Sequence, residues 1–225
     1  MRDNLDIIAE TGFQFFGKMT ASITHEIKNV LAIINENAGL LEDITLMADR
    51  GKPVEPQRLK TLAQAVIKQI SRADTIVKNL NRFAHSADES LKSVDLNDIL
   101  ELVVVLSNRL AAMRGIELEP KLQETPVKIK TSPFLLMNLI WLFLDFAMDA
   151  TGDRRIVELT IQQAGSGAQM RFRGLQGLAQ APLDTFPAER ERNLLNMLGA
   201  ELVVDIKKDE FAVKLAADID KDEQT

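Results

Sequence analysis

The chain has 225 residues, 46% hydrophobic and 27% charged, which is enough for two small globular domains and unlike a disordered chain. A formal net charge of -6 and an isoelectric point of about 5.1 argue against nucleic-acid binding, because neutralising phosphates requires a basic surface. The chain contains no cysteine, which excludes thiolate catalysis, cysteine-ligated zinc and disulfides.

The first part of the chain predicts two long helices. Apolar residues recur at intervals of three and four, or sums of these, from Phe16 to Ile44 and again from Leu59 to Ala84. A glycine and two prolines between residues 51 and 56 predict the turn that joins them. Two such helices enclose little apolar volume alone, so we expect a homodimer in which two antiparallel hairpins form a four-helix bundle.

A second domain is predicted after the polar run at residues 85–93, with domain bounds of 1–88 and 89–225. Helices are predicted at 98–113, 133–150 and about 188–198, and strands at 116–119, 127–130, 156–163, 169–173, 201–206 and 211–216. Helices that alternate with a mixed sheet are typical of an α+β sandwich.

No segment of the sequence predicts membrane insertion or export. The most apolar window, Phe134 to Met148, is interrupted by Asn138 and Asp145 and is short for a bilayer. The first residues carry acids where a signal peptide carries basic residues. We therefore expect a cytoplasmic protein.

One histidine of the first helix is predicted to face solvent. If Ile23 and Ile27 face the core, His25 lies about 200° around the helix from Ile23. Imidazole is partly neutral near neutral pH, so an exposed ring offers a nucleophilic nitrogen. Glu26 can orient or deprotonate that ring, and Asn29, one turn along, is placed to position a water.

Small and polar residues around His25 predict a surface on which a partner protein docks. The predicted docking residues are Ala21, Ser22, Lys28, Ala32 and Ile33.

The segment His25-Glu-Ile-Lys-Asn29, in a long helix followed by a second helix and an α+β domain, resembles the H-box of the HisKA histidine kinases. The resemblance implies that His25 accepts and donates a phosphoryl group with help from Glu26, and that Asn29 serves phosphatase action. It also implies a Bergerat-type ATP-binding sandwich for the second domain. The family often has proline after the asparagine; here Val30 predicts a helix without a kink.

The nucleotide-binding positions of the family are not retained. Residues 138–151 look like the N-box helix, and aligning its last residues puts the magnesium-binding asparagine at Phe146 and an earlier asparagine at Leu142. Arg173 stands where the adenine-reading aspartate belongs. The glycines at 174, 177 and 199 are interpreted as turn glycines, and the segment between Gly174 and Leu198 leaves little room for both an ATP lid and a second glycine box. We therefore expect a degenerate sandwich that binds no cofactor and no metal.

An H-box beside a degenerate ATPase-like domain resembles the histidine phosphotransferases of phosphorelays. The resemblance implies exchange of phosphate between His25 and the aspartate of a response-regulator receiver domain without ATP, the Mg²⁺ being bound by the receiver. One alternative is a divergent sensor histidine kinase that still binds ATP. The other is a non-catalytic scaffold, or a phosphatase, that binds a response regulator.

Overall fold

The computed structural model describes residues 4–219, which begin with two long helices. Helix α1 is Asn4–Asp49 and helix α2 is Pro56–His85. Between them Gly51 has a φ of 76°, a left-handed conformation that glycine adopts without strain. The predicted hairpin is confirmed, and α1 begins well before the predicted Phe16. The four-helix bundle of two such hairpins stays a prediction.

The chain separates into two compact units, and the beginning of α1 does not belong to the hairpin unit. Residues 20–82 form one unit, while residues 4–19 group with residues 83–219. The aromatic ring of Phe15 explains this division, since it lies 5.3 Å from that of Phe83 and 5.6 Å from that of Phe134. The compact units thus divide the chain elsewhere than the predicted domain boundary at residues 88 and 89.

Within residues 86–219, three α-helices and seven strands follow the hairpin, with three short 3-10 helices between them. The helices are α3 (Leu96–Met113), α4 (Pro133–Asp149) and α5 (Glu189–Met197). The strands are β1 (Lys92–Asp95), β2 (Glu117–Lys121), β3 (Lys128–Thr131), β4 (Ile156–Ala164), β5 (Gly167–Arg173), β6 (Glu201–Asp205) and β7 (Glu210–Leu215). Every predicted helix and strand of this region is present.

The strands form one large and one small sheet. The large sheet has the order β2-β4-β5-β7-β6, in which β2 and β4 are parallel and the other neighbours antiparallel. Strands β1 and β3 pair antiparallel on their own. Helices combined with this mixed sheet confirm the predicted α+β fold.

The core of the sandwich is made by α4 and the inner face of the sheet. Alternate residues of β4 (Val157, Leu159 and Ile161) are fully buried, as expected for a strand with one face against helices. Helix α4 is buried over most of its length, with Met137 and Phe143 both fully inaccessible to solvent. Across residues 4–219, no helix is long and apolar enough to cross a membrane.

Candidate functional site

His25 lies near the middle of α1 with an exposed side chain. Ile23, the reference point for its predicted orientation, is only 5% exposed, and Val30 is fully buried. The imidazole therefore points away from the packed face of the helix, as predicted. Helix α1 also continues without interruption through Val30.

Glu26 is half-buried and faces α2. Its Oε2 lies 4.0 Å from Nη2 of Arg72, and its side chain is 25% exposed. The contact places the Glu26 carboxylate on the side of α1 that faces α2. Sequence reasoning missed Arg72, because periodicity gives the face of each helix but not which residues of two helices meet.

The predicted docking residues differ in how far their side chains are exposed to solvent. Ala21, Lys28 and Ala32 are exposed, as is Asn29, and Ile33 is half-buried. Ser22 is buried, with 3% exposure, and its hydroxyl oxygen has no hydrogen-bond partner. The expectation that Ser22 is accessible to a partner is wrong for this chain, because residue 22 lies beside the buried Ile23 at the edge of the packed face.

On α4, the position aligned with the family's magnesium ligand is part of an aromatic cluster. The ring of Phe146 stacks on the ring of Phe186 with centroids 3.6 Å apart and planes within 3°. Phe186 comes from the segment between β5 and α5. The centre of its ring also lies 5.5 Å from the ring centre of Phe143 and 6.0 Å from that of Phe211. Phenyl rings carry no oxygen for a magnesium ion, so these residues do not fit that metal.

Arg173, at the position aligned with the adenine-reading aspartate, is held in an ion cluster. Its Nε donates to Oε2 of Glu210 at 2.7 Å, and Nη1 of Arg171 donates to Oε1 of the same carboxylate at 2.7 Å. The Glu210 side chain is 5% exposed. The guanidinium is a donor where adenine recognition requires an acceptor, so this residue does not fit the nucleotide.

Gly174, directly after Arg173, has a structural reason to be glycine. Its φ is 84°, and a Cβ built on it would stand 2.7 Å from the carbonyl oxygen of Ile156. The close approach of the Ile156 carbonyl and the positive φ explain why this position is glycine, so no bound phosphate is needed to account for it. Among residues 4–219, no three histidine, aspartate or glutamate side chains are grouped so as to hold a metal ion.

Two known proteins that are similar in sequence to this chain are both sensor histidine kinases. The sensor histidine kinase ZraS of Escherichia coli K12 is 27% identical over 170 residues, which cover 75% of this chain and 35% of ZraS. ZraS of Salmonella typhimurium is 28% identical over 151 residues, covering 67% of this chain and 30% of that protein. The chain is homologous to sensor histidine kinases. It spans about a third of the length of these homologous kinases.

No family model matches the sequence. Among solved structures, the histidine kinase AdeS of Acinetobacter baumannii superposes with a TM-score of 0.49 and 12% identity, over 86% of this chain and 98% of that chain.

Proposed function

We propose that this histidine kinase homologue is a phosphotransferase that exchanges phosphate between His25 and the aspartate of a response-regulator receiver domain without using ATP. The sequence relationship to sensor histidine kinases supports two-component signalling chemistry. The observation that supports a phosphotransferase over an ATP-driven kinase is the stack of Phe146 on Phe186.

The hairpin supplies what a phosphoryl acceptor needs. His25 is exposed, so a docked phosphoaspartate can reach an imidazole nitrogen. In the forward step that nitrogen attacks phosphorus, the P–N bond forms as the P–O bond to the aspartate breaks, and the carboxylate leaves. Glu26 takes the proton from the other ring nitrogen, which removes the positive charge left on the ring. The reverse step regenerates the phosphoaspartate.

Two positions of the sandwich support a chain that does not use ATP. The metal-ligand position carries Phe146 packed on Phe186, and the adenine position carries Arg173 bound to Glu210. Neither position offers an oxygen acceptor. The proposal therefore assigns no metal and no nucleotide to this chain, and leaves Mg²⁺ to the receiver.

The hairpin surface supports a homodimer. Ile67, Ile70 and Val77 of α2 are 63%, 55% and 43% exposed, and Leu31 of α1 is 55% exposed. The three residues of α2 are spaced by three and seven, so they lie along one side of the helix. A second hairpin packed on this apolar side would complete a four-helix bundle.

The test is transfer from a receiver. The protein is incubated with response-regulator receivers of the same organism, each carrying ³²P-phosphoaspartate. We expect label on the wild type, loss of labelling in His25→Ala, and full labelling in His85→Ala, since His85 is exposed and bound to Asp88. Absence of transfer from every receiver would contradict the proposal.

A second candidate function is a divergent histidine kinase, favoured by the 27% identity to ZraS over 75% of the chain. Titration calorimetry with ATP and Mg²⁺ distinguishes the two. The phosphotransferase predicts no heat of binding and no labelling of His25 by γ-³²P-ATP. Magnesium-dependent binding followed by labelling would establish the kinase.

A third candidate is a phosphatase or scaffold, favoured by the exposed Asn29 one turn from His25. Such a protein would dephosphorylate a receiver in a way that survives His25→Ala and is lost in Asn29→Ala. If the protein is a phosphotransferase, loss of phosphate from the receiver should be abolished in His25→Ala and retained in Asn29→Ala.

A further inference from the structure

Glu26, the proposed base for His25, has a cationic neighbour on the other helix of the hairpin. The distance of 4.0 Å between its Oε2 and Nη2 of Arg72 is the limit for an ion pair and exceeds that of a hydrogen bond. Within residues 4–219, neither side chain makes another ion pair or hydrogen bond. The contact is therefore electrostatic, and it can break without the loss of a hydrogen bond.

The same contact directs the carboxylate away from the ring on which it is proposed to act. Successive residues of a helix point about 100° apart, and Glu26 faces α2 while the His25 side chain is exposed to solvent. In the described part of the chain, no hydrogen bond joins Glu26 to His25. The Glu26 side chain must therefore leave Arg72 before it can take a proton from the imidazole.

Other charged residues of the hairpin do not replace Arg72 beside Glu26. On α1, Lys28 points about 200° around the helix from Glu26. The residues of α1 three and four positions from Glu26 are uncharged, namely Ser22, Ile23, Asn29 and Val30. On α2, the carboxylate of Asp74 pairs with Lys78 at 2.7 Å. Among the described residues, only the guanidinium of Arg72 lies within ion-pair distance of Glu26.

We propose that Arg72 is a positioning residue that restrains Glu26 in the free protein and so slows phosphorylation of His25. This inference rests on the proposed function, in which Glu26 takes the proton of the imidazole. As the ring nitrogen bonds to phosphorus, the ring becomes positively charged and attracts the carboxylate in competition with the guanidinium. The Arg72 side chain is 54% exposed, so the ion pair is weak and slows the reaction only by a small factor.

Labelling of His25 by ³²P-phosphoramidate tests the proposal without a receiver. The imidazole nitrogen attacks phosphorus, the P–N bond of the zwitterionic reagent breaks, and ammonia leaves. We expect Arg72→Met to be labelled about two- to fivefold faster than the wild type, the range for a lost ion pair between partly exposed side chains. Arg72→Lys keeps the cation and should be labelled at close to the wild-type rate. Arg58→Met, at an exposed arginine near the start of α2, is the matched control and should leave the rate unchanged.

A double-mutant cycle with Glu26→Gln separates an effect through Glu26 from any other effect of Arg72. The amide carries no charge for the guanidinium to attract, so Arg72→Met should not accelerate labelling of the Glu26→Gln protein. The rate measured for His25→Ala is subtracted throughout, since it includes any label on His85. An acceleration of equal size in both backgrounds, or no acceleration in the wild-type background, would overturn the proposal.

Failure of the proposed function gives a different result. Label from phosphoramidate on His25, without label from any phosphorylated receiver, would contradict exchange with receivers while the cycle still measures the action of Arg72. Absence of phosphoramidate label from both the wild type and Arg72→Met would overturn the restraint as well, because release of Glu26 should then produce phosphorylated His25.

Discussion

At the scale of single residues, the chemistry proposed for His25 depends on the carboxylate next to it. Glu26 lies on the side of α1 that faces Arg72, at 4.0 Å, rather than projecting freely into solvent. Its place in the residue after His25 makes it the candidate general base, a role that typically contributes about 10²–10⁴-fold to a rate.

Glu26→Gln should therefore lower the rate of phosphoryl transfer to His25 by about 10²-fold, because the amide keeps the shape of the side chain but takes no proton. Quench-flow labelling from a phosphorylated receiver measures the rate. Glu36→Gln, an exposed glutamate further along α1, is the control and should transfer at the wild-type rate. Equal rates in the two variants would show that Glu26 does not act on the ring.

The site residues differ in how far the sequence predicts them. The exposure of His25 follows from helical geometry once Ile23 is placed in the core. The burial of Ser22 and the approach of Arg72 do not follow, because both depend on how far each helix is rotated about its axis when it packs. That rotation is a tertiary property, and a periodic pattern fixes it only to within a few tens of degrees.

At the scale of elements, the central strands of the sheet carry two carboxylates whose surroundings differ. Glu210 of β7 is buried between two guanidinium groups, whereas Glu158 of β4 is 16% exposed and paired with Lys121 and Arg154. Glu210 therefore affects stability through a buried charge, and Glu158 affects how stability depends on pH.

Glu210→Gln should lower the free energy of unfolding by about 3 kcal/mol, because removing the anion leaves two arginines facing each other around a neutral amide. Urea denaturation at neutral pH measures the change. Glu201→Gln removes an exposed pair with Lys214 and serves as the control, with an expected change below about 0.5 kcal/mol. Similar losses in both variants would contradict a special role for the buried cluster.

Glu158 should make stability depend on pH in the acid range. Burial raises the pKa of this carboxyl, but the hydrogen bonds and charges of Lys121 and Arg154 outweigh burial and the pKa is lowered overall. A folded pKa below the unfolded value of about 4.3 means stabilisation above that pH and its loss as the pH falls through the folded value.

Denaturation by urea at pH 7 and pH 3 checks the sign. Glu158→Gln should be less stable than the wild type at pH 7, with a smaller difference at pH 3. Glu101→Gln, an exposed glutamate of α3, should match the wild type at both values. A difference that grows towards pH 3 would reverse the assignment.

Most elements were predictable because apolar residues alternate in strands such as β4 and recur every three or four residues in helices. Strand β1 was not, since Lys92–Asp95 is short and polar and exists through its pairing with β3. The position of Phe186 was not predictable either. It lies in an irregular segment whose conformation follows from contact with Phe146, and no period of the sequence encodes that contact.

At the scale of the whole molecule, the exposed apolar side of the hairpin favours association of two chains. Ile70, 55% exposed, lies on this side of α2. Glutamate at this position would place a charge in an apolar interface, which strongly disfavours association.

Light scattering during gel filtration should give the wild type about twice the mass of one 25.1 kDa chain. Ile70→Glu should move the mass towards that of one chain. Thr75→Glu adds the same charge at an exposed position about 140° around α2 from Ile70 and should remain dimeric. A monomeric wild type would refute the homodimer.

The uninterrupted course of α1 sets the direction in which the phosphoryl acceptor is presented. From Thr20 to Ala38 the helix contains no proline or glycine that would allow a kink. His25 therefore turns together with the helical turns on either side of it, so that a rotation of this part of α1 about its axis changes the azimuth of the imidazole by the same angle.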